Sequence, residues 1–345
     1  MVLGDLGANV IKVERPGRGD DTRSWGPPFD ERGESAYYLS INRNKISIAA
    51  DVMVAERALV VELIENADVV VENFLPGTLE RAGIESQTLL RSHPRLVWCS
   101  ITGFGRASRR PGYDYVVQAE AGWMAITGEP GGEPMKTGLA LADIVAGKDA
   151  AIAVLASLSG RDRGIAIDRF VDISLADSAR AALTNVAQNA LISRREAVRW
   201  GNAHANLVPY QLFQASDRAI VIAVGSDDQW RSCLGALGLE ALGDDARLAT
   251  NANRLAHREL VVRAFARVIG TRSAVEWIRA LEARRVPCGV VKTILEALHD
   301  AANASPLTGM PSSVGGKVRF APPRLDEHGE LIRTIGWDAF DTLPR

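Results

Sequence analysis

Among the residues that could do chemistry, one carboxylate is singled out by its setting. Asp143 stands at the start of the apolar run GLALADIVAGKDAAIAVLASL, with Gly138 before it and Gly147 one turn after. On residue type alone, the plainer reading is a first-turn aspartate stabilised by the positive end of the helix dipole. The other familiar arrangements fail in turn. No GxGxxG follows a strand, and GFGRAS at 103–108 lacks the third glycine, so no dinucleotide fingerprint is present. GxxxxGK[ST], HExxH and GxSxG are absent as well, which removes a phosphate-binding P-loop, a zinc hydrolase and a serine hydrolase of the usual kinds. The five histidines (His93, His204, His257, His299 and His328) have no ligand spacing. Cys99, Cys233 and Cys288 are odd in number and form no CxxC pair, so no metal is expected and a reducing, cytoplasmic setting is.

The elements that must position Asp143 are readable from the apolar pattern. Runs of strand length occur at 8–14, 46–51, 67–72, 95–101 and 169–174. They are continuous rather than alternating and are separated by helical stretches, the pattern of a parallel sheet covered on both faces. Between the second and third, Ala55, Leu59, Leu63 and Ala67 mark one helical face at four-residue spacing. Helices are expected from about 140 to 159, and from the end of the 169–174 strand to about 192. The polar stretch SRREAVRWGNAHANLVP then reads as a linker, with Gly201, Asn202, His204 and Pro209. Beyond it, PYQLFQ and AIVIAVG flank the turn residues Ser216 and Asp217, helices are expected at 226–237, 256–269 and 273–284, and CGVVK and KVRFA read as strands. The expected organisation is a large α/β domain over 1–195, a linker over 196–209 and a smaller α+β domain over 210–304. A C-terminal segment, 305–345, returns to the large domain.

Composition bounds the functional classes. The chain has 345 residues, 47% of them apolar and 24% charged, with a net charge of −2. Such a balance suits a globular protein, offers no basic surface for nucleic acid, and leaves no uncharged apolar run long enough to span a membrane. The most apolar stretch, Ala142 to Leu158, carries Asp143, Lys148 and Asp149. The opening MVLGDLGANVIKVE reads as the tail of a helix followed by a strand, with neither secretory signal nor upstream element in the sequence given.

Taken in order, LGANVIKVERPGRGDDTR, NRNKISIAAD, ADVVVENFLPGTLERAGI, CSITGFG, PGYDYVVQAEAGWMAITG and LADIVAG resemble the class III CoA-transferases, the family of carnitine and formyl CoA-transferases and α-methylacyl-CoA racemase. DDTRSWGPPF, YYLSINRNK and RWGNAHANLVPYQLF look closest to the succinyl-CoA-dependent branch acting on glutarate and related dicarboxylates. The likeness runs from Met1 to about His328. It implies a Rossmann-like parallel-sheet domain with a smaller α+β domain, in an interlocked homodimer. It further implies that acyl-CoA is a substrate and that Asp143 is the nucleophile, with backbone N–H groups near the helix start stabilising the oxyanion. For CoA, the matching positions are Arg15, Ala50, Asp51, Val52, Met53, Asn73, Phe74, Arg81 and Tyr113: arginines for phosphates, apolar and aromatic groups for adenine and pantetheine. Plainer readings stand beside these, with Arg15 and Arg81 as solvated charges and Phe74 as core. Arg23 is the expected clamp for a distal substrate carboxylate and His204 an expected lining of the acyl pocket; a surface role and a structural role are the respective alternatives. Family members normally carry a strand and a helix ahead of the DLGA motif, which makes an impaired homologue one competing expectation. A 2-methylacyl-CoA racemase is the other, weakened because Tyr113 stands where racemases have His.

Overall fold

The computed structural model describes residues 1–53, 55–301, 314 and 316–343. Contacts divide the chain into two compact units, 1–123 with 136–193 and 301–345, and 124–135 with 194–300. The second unit thus includes 124–135, which the sequence reading places in the first domain, and the stretch read as a linker. Within it, Gly201 N–H donates to the Gly128 carbonyl and Arg199 to the Gly132 carbonyl, tying the two pieces of chain together.

In the first unit, β1 (Ile11–Glu14) and β2 (Ile46–Ala49) pair in parallel, Ile11 opposite Ile46. A separate sheet holds β3 (Val69–Glu72), β4 (Val97–Thr102) and β5 (Phe170–Ser174), also parallel and in that order. One apolar cluster, including Ile46, Ile48, Leu63, Ile84 and Trp98, joins both sheets. On another face of the second sheet, Val97, Cys99 and Val171 pack with Ala150 and Val154 of the helix Leu141–Asp162. That helix buries Ala142, Ala146, Ala150, Ala151 and Gly160, and small residues there let it approach its neighbours closely.

Local departures from the sequence reading have local causes. The helix Arg57–Glu65 is shorter than its apolar spacing suggests and buries Val60, Leu63 and Ile64, leaving Ala55 and Ala67 outside. The helix expected to run to 192 is broken into Leu175–Ala181 and Thr184–Ser193, with Thr184 at φ 38° between them. The helix expected at 256–269 is Arg258–Ile269, and a further short helix, Asn251–Ala256, precedes it across His257. KVRFA is not a strand. Its amides go instead to single partners: Lys317 N–H to the Asp5 carbonyl, and Arg319 and Phe320 N–H to the Asn44 side chain. In the second unit, β6 (Tyr210–Gln214), β7 (Ala219–Ala223) and β8 (Cys288–Val290) form an antiparallel sheet over a core that includes Phe213, Trp230, Phe265 and Trp277.

The C-terminal segment completes the first sheet. His328 N–H donates to the Ser47 carbonyl, the Asp326 carboxylate accepts from Ala49 N–H, and Arg333 donates to the Ala49 carbonyl. These bonds use the ladder groups that β2 would otherwise leave unpaired at an edge. Beneath them lies a buried polar network. Arg23 donates bidentately to Glu14 at 2.8 and 2.7 Å, to Glu34 at 2.7 Å and to the Tyr38 hydroxyl at 2.6 Å, with its guanidinium over the Tyr38 ring. Tyr38 in turn donates to the Pro323 carbonyl.

The expected role of Arg23 as a substrate clamp is therefore corrected. All three of its guanidinium nitrogens are engaged within the protein, and the residue is 9% exposed. Removing this guanidinium strands Glu14 and Glu34 in the interior, a class of change that costs about 3–5 kcal/mol. Arg23→Ala is expected to lose stability of that order in urea unfolding. A variant that keeps parental stability but turns over dicarboxylates selectively worse would restore the clamp.

Candidate active site

The CoA-binding positions implied by the resemblance share one topological property. Arg15 follows β1, Ala50 to Met53 follow β2, Asn73 and Phe74 follow β3, and Tyr113 lies in the connection after β4. Loops leaving the carboxyl ends of parallel strands are where open α/β sheets bind ligands. Arg81 ends the short helix Thr78–Arg81, in the connection that leaves β3. Arg15 and Arg81 are exposed, as are Asn73, Met53 and Tyr113, and Phe74 is 43% exposed, so it is not core in this protomer. Ala50 is buried, while Asp51 and Val52 are half-buried; Asp51 accepts from Met53 N–H and shapes the turn.

Arg109 was missed by sequence reasoning. Gly77, at φ +83°, has no Cβ; the point a Cβ would occupy lies 3.4 Å from an Arg81 nitrogen and 3.5 Å from an Arg109 nitrogen. Two guanidiniums thus share one small space beside a turn. The connection that carries Tyr113 is held by a backbone contact. A Cβ at Gly103 would meet the Gly112 Cα at 2.5 Å, and one at Gly112 would meet the Gly103 Cα at 2.6 Å, so only glycine fits at either position. Nothing in an isolated sequence window predicts which two glycines touch.

Asp143 lies in the first turn of the helix Leu141–Asp162, whose own N-cap, Ala140, has no side chain to offer. The missing cap comes from Asp114, in the helix Asp114–Glu120. Its Oδ1 accepts from Ala142 N–H at 2.8 Å and from Asp143 N–H at 3.4 Å. The donors expected to face a reacting oxyanion are thus already engaged by a carboxylate. Asp143 itself is reached by solvent, yet its carboxyl has enough protein around it for desolvation, and then the charge of Asp114, to push its pKa up to about 6. Tyr37 is held above its ordinary range by burial and then by the charges of Asp143 and Asp114. Its ring meets Trp25 edge to face at 5.0 Å, which sets an aromatic pair within electrostatic reach of both carboxylates.

His204 lies in the second unit. Its Nδ1 accepts from Asn206 N–H, its ring meets Tyr210, and its carbonyl accepts from Arg258, so its visible work is to shape the 200–210 loop. Among the described residues no group of three or more His, Cys, Asp or Glu side chains could hold a metal ion, and no helix is long and apolar enough to cross a membrane.

A parallel α/β unit with loops open at the carboxyl ends of its strands, and an exposed carboxyl of raised pKa at a helix start, has the parts from which an enzyme site can be built. Comparison with known proteins makes the class specific. A sequence model of CoA-transferase family III matches residues 1–328, and the chain belongs to that family. It is 42% identical over 314 residues to succinate–glutarate CoA-transferase of Agrobacterium fabrum, covering 87% of this chain and 77% of that one. It is 37% identical over 353 residues to the human succinyl-CoA:glutarate CoA-transferase, covering 95% and 80%. The crystal structure of a CAIB/BAIF family protein from Brucella suis superposes with a TM-score of 0.83 at 38% identity, over 96% of this chain and 93% of that one.

The raised pKa has two consequences with opposite signs. With Asp143 as the expected nucleophile, reacting as its carboxylate, kcat/KM is expected to fall as pH drops through about 6, rather than near the ordinary 3.8. The folded state binds this proton more tightly than the unfolded chain, so ionising Asp143 costs stability as pH rises through that window. Asp143→Asn is therefore expected to abolish turnover while keeping or raising Tm at pH 8. Thermal melts showing a lower Tm for that variant would contradict the assignment of the titrating group.

Proposed function

We propose that the protein transfers CoA from succinyl-CoA to glutarate or a closely related short dicarboxylate, with Asp143 as the nucleophile. The observation that carries this reading is the accessible, weakly acidic carboxyl of Asp143 at the start of its helix, in a chain of this family. The substrate pair is supported by the names of the relatives that match most of the chain. Asp143 attacks the succinyl carbonyl and expels CoA thiolate, giving a succinyl–aspartyl anhydride. The thiolate then attacks the aspartyl carbonyl, releasing succinate and leaving an aspartyl-CoA thioester. Glutarate attacks that thioester and expels CoA thiolate again. Attack of the thiolate on the glutaryl carbonyl of the new anhydride releases glutaryl-CoA and restores the carboxylate. A carboxylate nucleophile suits this cycle because anhydride and thioester both remain activated, whereas a serine ester would be an energetic sink.

The test traps the intermediate. Incubation with succinyl-CoA and hydroxylamine is expected to convert Asp143 to a hydroxamate, seen by peptide mapping, and glutarate is expected to yield glutaryl-CoA by mass spectrometry. Labelling at another residue, or full activity in Asp143→Ala, overturns the mechanism; equal turnover of butyrate and glutarate overturns the acceptor class.

Arg15, Arg81 and Arg109 supply the cations for the CoA phosphates, and Phe74 and Tyr113 offer exposed rings for its apolar parts. A hydrogen bond to a charged group is worth about 1.5–3 kcal/mol, so Arg81→Ala or Arg109→Ala should weaken CoA binding roughly tenfold or more. Calorimetric dissociation constants unchanged in both variants would remove the pair from the site.

An interlocked homodimer is part of the same proposal. The helix Thr184–Ser193 buries no residue within the protomer, leaving Leu191 and Ile192 72% and 75% exposed, and Ile152 on the nucleophile helix is 66% exposed. Apolar helix faces of this kind are interaction surfaces, and a second copy of the chain is the occupant proposed. Sedimentation is expected to show a dimer that persists on dilution, and a stable monomer would refute it.

A further inference from the structure

The PGYDYVVQAEAG motif carries Tyr113 and Asp114, and its most deeply buried polar residue is Gln118. Gln118 is 0% exposed. Its amide nitrogen donates to Asp114 Oδ2 at 2.6 Å and to the Leu139 carbonyl at 3.1 Å. Its amide oxygen accepts from Thr137 N–H at 2.9 Å and lies 3.2 Å from the Thr137 hydroxyl. An amide side chain has two N–H donors and two acceptor lone pairs; here both donors and one lone pair have partners of their own, and the second lone pair shares the single Thr137 hydroxyl proton with the Leu139 carbonyl. Those partners are of two kinds: the carboxylate that caps the nucleophile helix, and the 137–139 strap that leads into it.

We infer that Gln118 is a positioning residue for the transfer reaction, holding Asp114 against the start of the nucleophile helix and fixing the strap that delivers Asp143. It touches no reacting atom. Asp114 alone could rotate about its side-chain torsions towards solvent, since its cap bonds use only Oδ1. The Gln118 bond to Oδ2 fixes the second oxygen, and with it the rotamer. A bond of amide to carboxylate, made out of water, is among the stronger neutral-to-charged pairs.

The chemical consequence runs through charge. Asp114 occupies two N–H groups that would otherwise stabilise the Asp143 carboxylate, and it places a like charge beside it. Both effects keep Asp143 basic, which makes it the better nucleophile once ionised. Two titratable groups are coupled to Asp143: Asp114 from the 114–120 helix and Tyr37 from the 36–41 helix. The Tyr37 phenol is neutral over the working range, its pKa being raised, so Asp114 is the charge that matters. If Gln118 is lost, Asp114 is released, the helix-start N–H groups become free, and Asp143 moves part of the way back towards an ordinary aspartate, the larger contribution, desolvation, remaining in place.

The experiment follows the Asp143 ionisation in four full-length proteins: the parent, Gln118→Ala, Asp114→Asn and the double variant. The readouts are the acidic limb of the kcat/KM profile and a direct titration by carboxyl ¹³C NMR, with Asp143→Asn identifying the signal. Gln118→Ala and Asp114→Asn are each expected to move the ionisation downward by about one pH unit, the size of shift a neighbouring charge produces. In Gln118→Ala, kcat should fall roughly tenfold or more while the CoA dissociation constant is unchanged. Because Gln118 acts through Asp114, the double variant should show no larger shift than Asp114→Asn alone. An ionisation at the parental pH in Gln118→Ala, an additive double variant, or a CoA affinity that falls with kcat would each overturn the inference. Should the Ala variant not fold, the near-isosteric Gln118→Met keeps the volume, removes both donors and adds no charge, and the same shift is required of it. This inference rests on Asp143 as nucleophile. Full activity in Asp143→Asn would end that reading, while the NMR titration would still decide whether Gln118 sets the charge environment.

Discussion

A helix of 22 residues needs partners for its first amides, and the N-cap of this one is an alanine. The structure meets that constraint by bringing a carboxylate from a separate helix, and much of the site follows from it. Because Asp114 caps the helix from outside, the helix Asp114–Glu120 must lie beside its start, which fixes where the Tyr113 connection emerges. Because the cap is an anion, its like charge adds to desolvation in making Asp143 a weaker acid than its residue type predicts. A serine at position 140 would have capped the helix locally, with no need for the second helix and no added charge beside Asp143. The remote cap therefore links the local problem of starting a helix to the chemical problem of tuning a carboxylate.

The second constraint is the parallel sheet. Parallel strands need crossover connections, and each crossover leaves from the carboxyl end of a strand. In this chain β1 to β4 all send their outgoing segments to the expected CoA positions. The close approach of Gly103 and Gly112 then ties the β4 exit to the Tyr113 segment without any side chain between them. Candidate binding positions far apart in sequence are thus brought to equivalent places by the strand topology.

How much of this was legible in the sequence depended on the range of the interaction. Eight strands were readable because apolar runs are local, and Asp143 drew notice as a carboxylate at the start of an apolar helix, although its expected role came from the resemblance. The resemblance then supplied the CoA positions. What was not readable involved partners distant in sequence. KVRFA has the composition of a strand, yet its amides are taken by Asn44 and Asp5, hundreds of residues away, so no ladder forms. Asp114 and Ala142 are also far apart, and nothing in either segment announces the cap. Arg23 sits in a charged run, GDDTR, which suggests solvent; burial by Tyr38 and the Pro323 carbonyl makes it a structural cation instead. Arg109 gave no signal at all, since its meaning lies in its nearness to Arg81.

The NRNK motif shows how a family signature can be structural rather than catalytic. Arg43 donates bidentately to Asp5, and Asn44, at φ 61° and wholly buried, donates to the same carboxylate and to the Lys317 carbonyl. Its side-chain oxygen accepts from Arg319 and Phe320 N–H. One asparagine therefore joins the opening turn, the entry to β2 and the returning C-terminal segment. That joint lies at the amino-terminal end of β2, whereas the Ala50–Met53 segment leaves its carboxyl end. The C-terminal segment, once anchored at Asn44, runs along β2 and gives it Asp326, His328 and Arg333 as edge partners. The short two-stranded sheet holds its strand ends in place because a third chain segment, not a third strand, covers its edge.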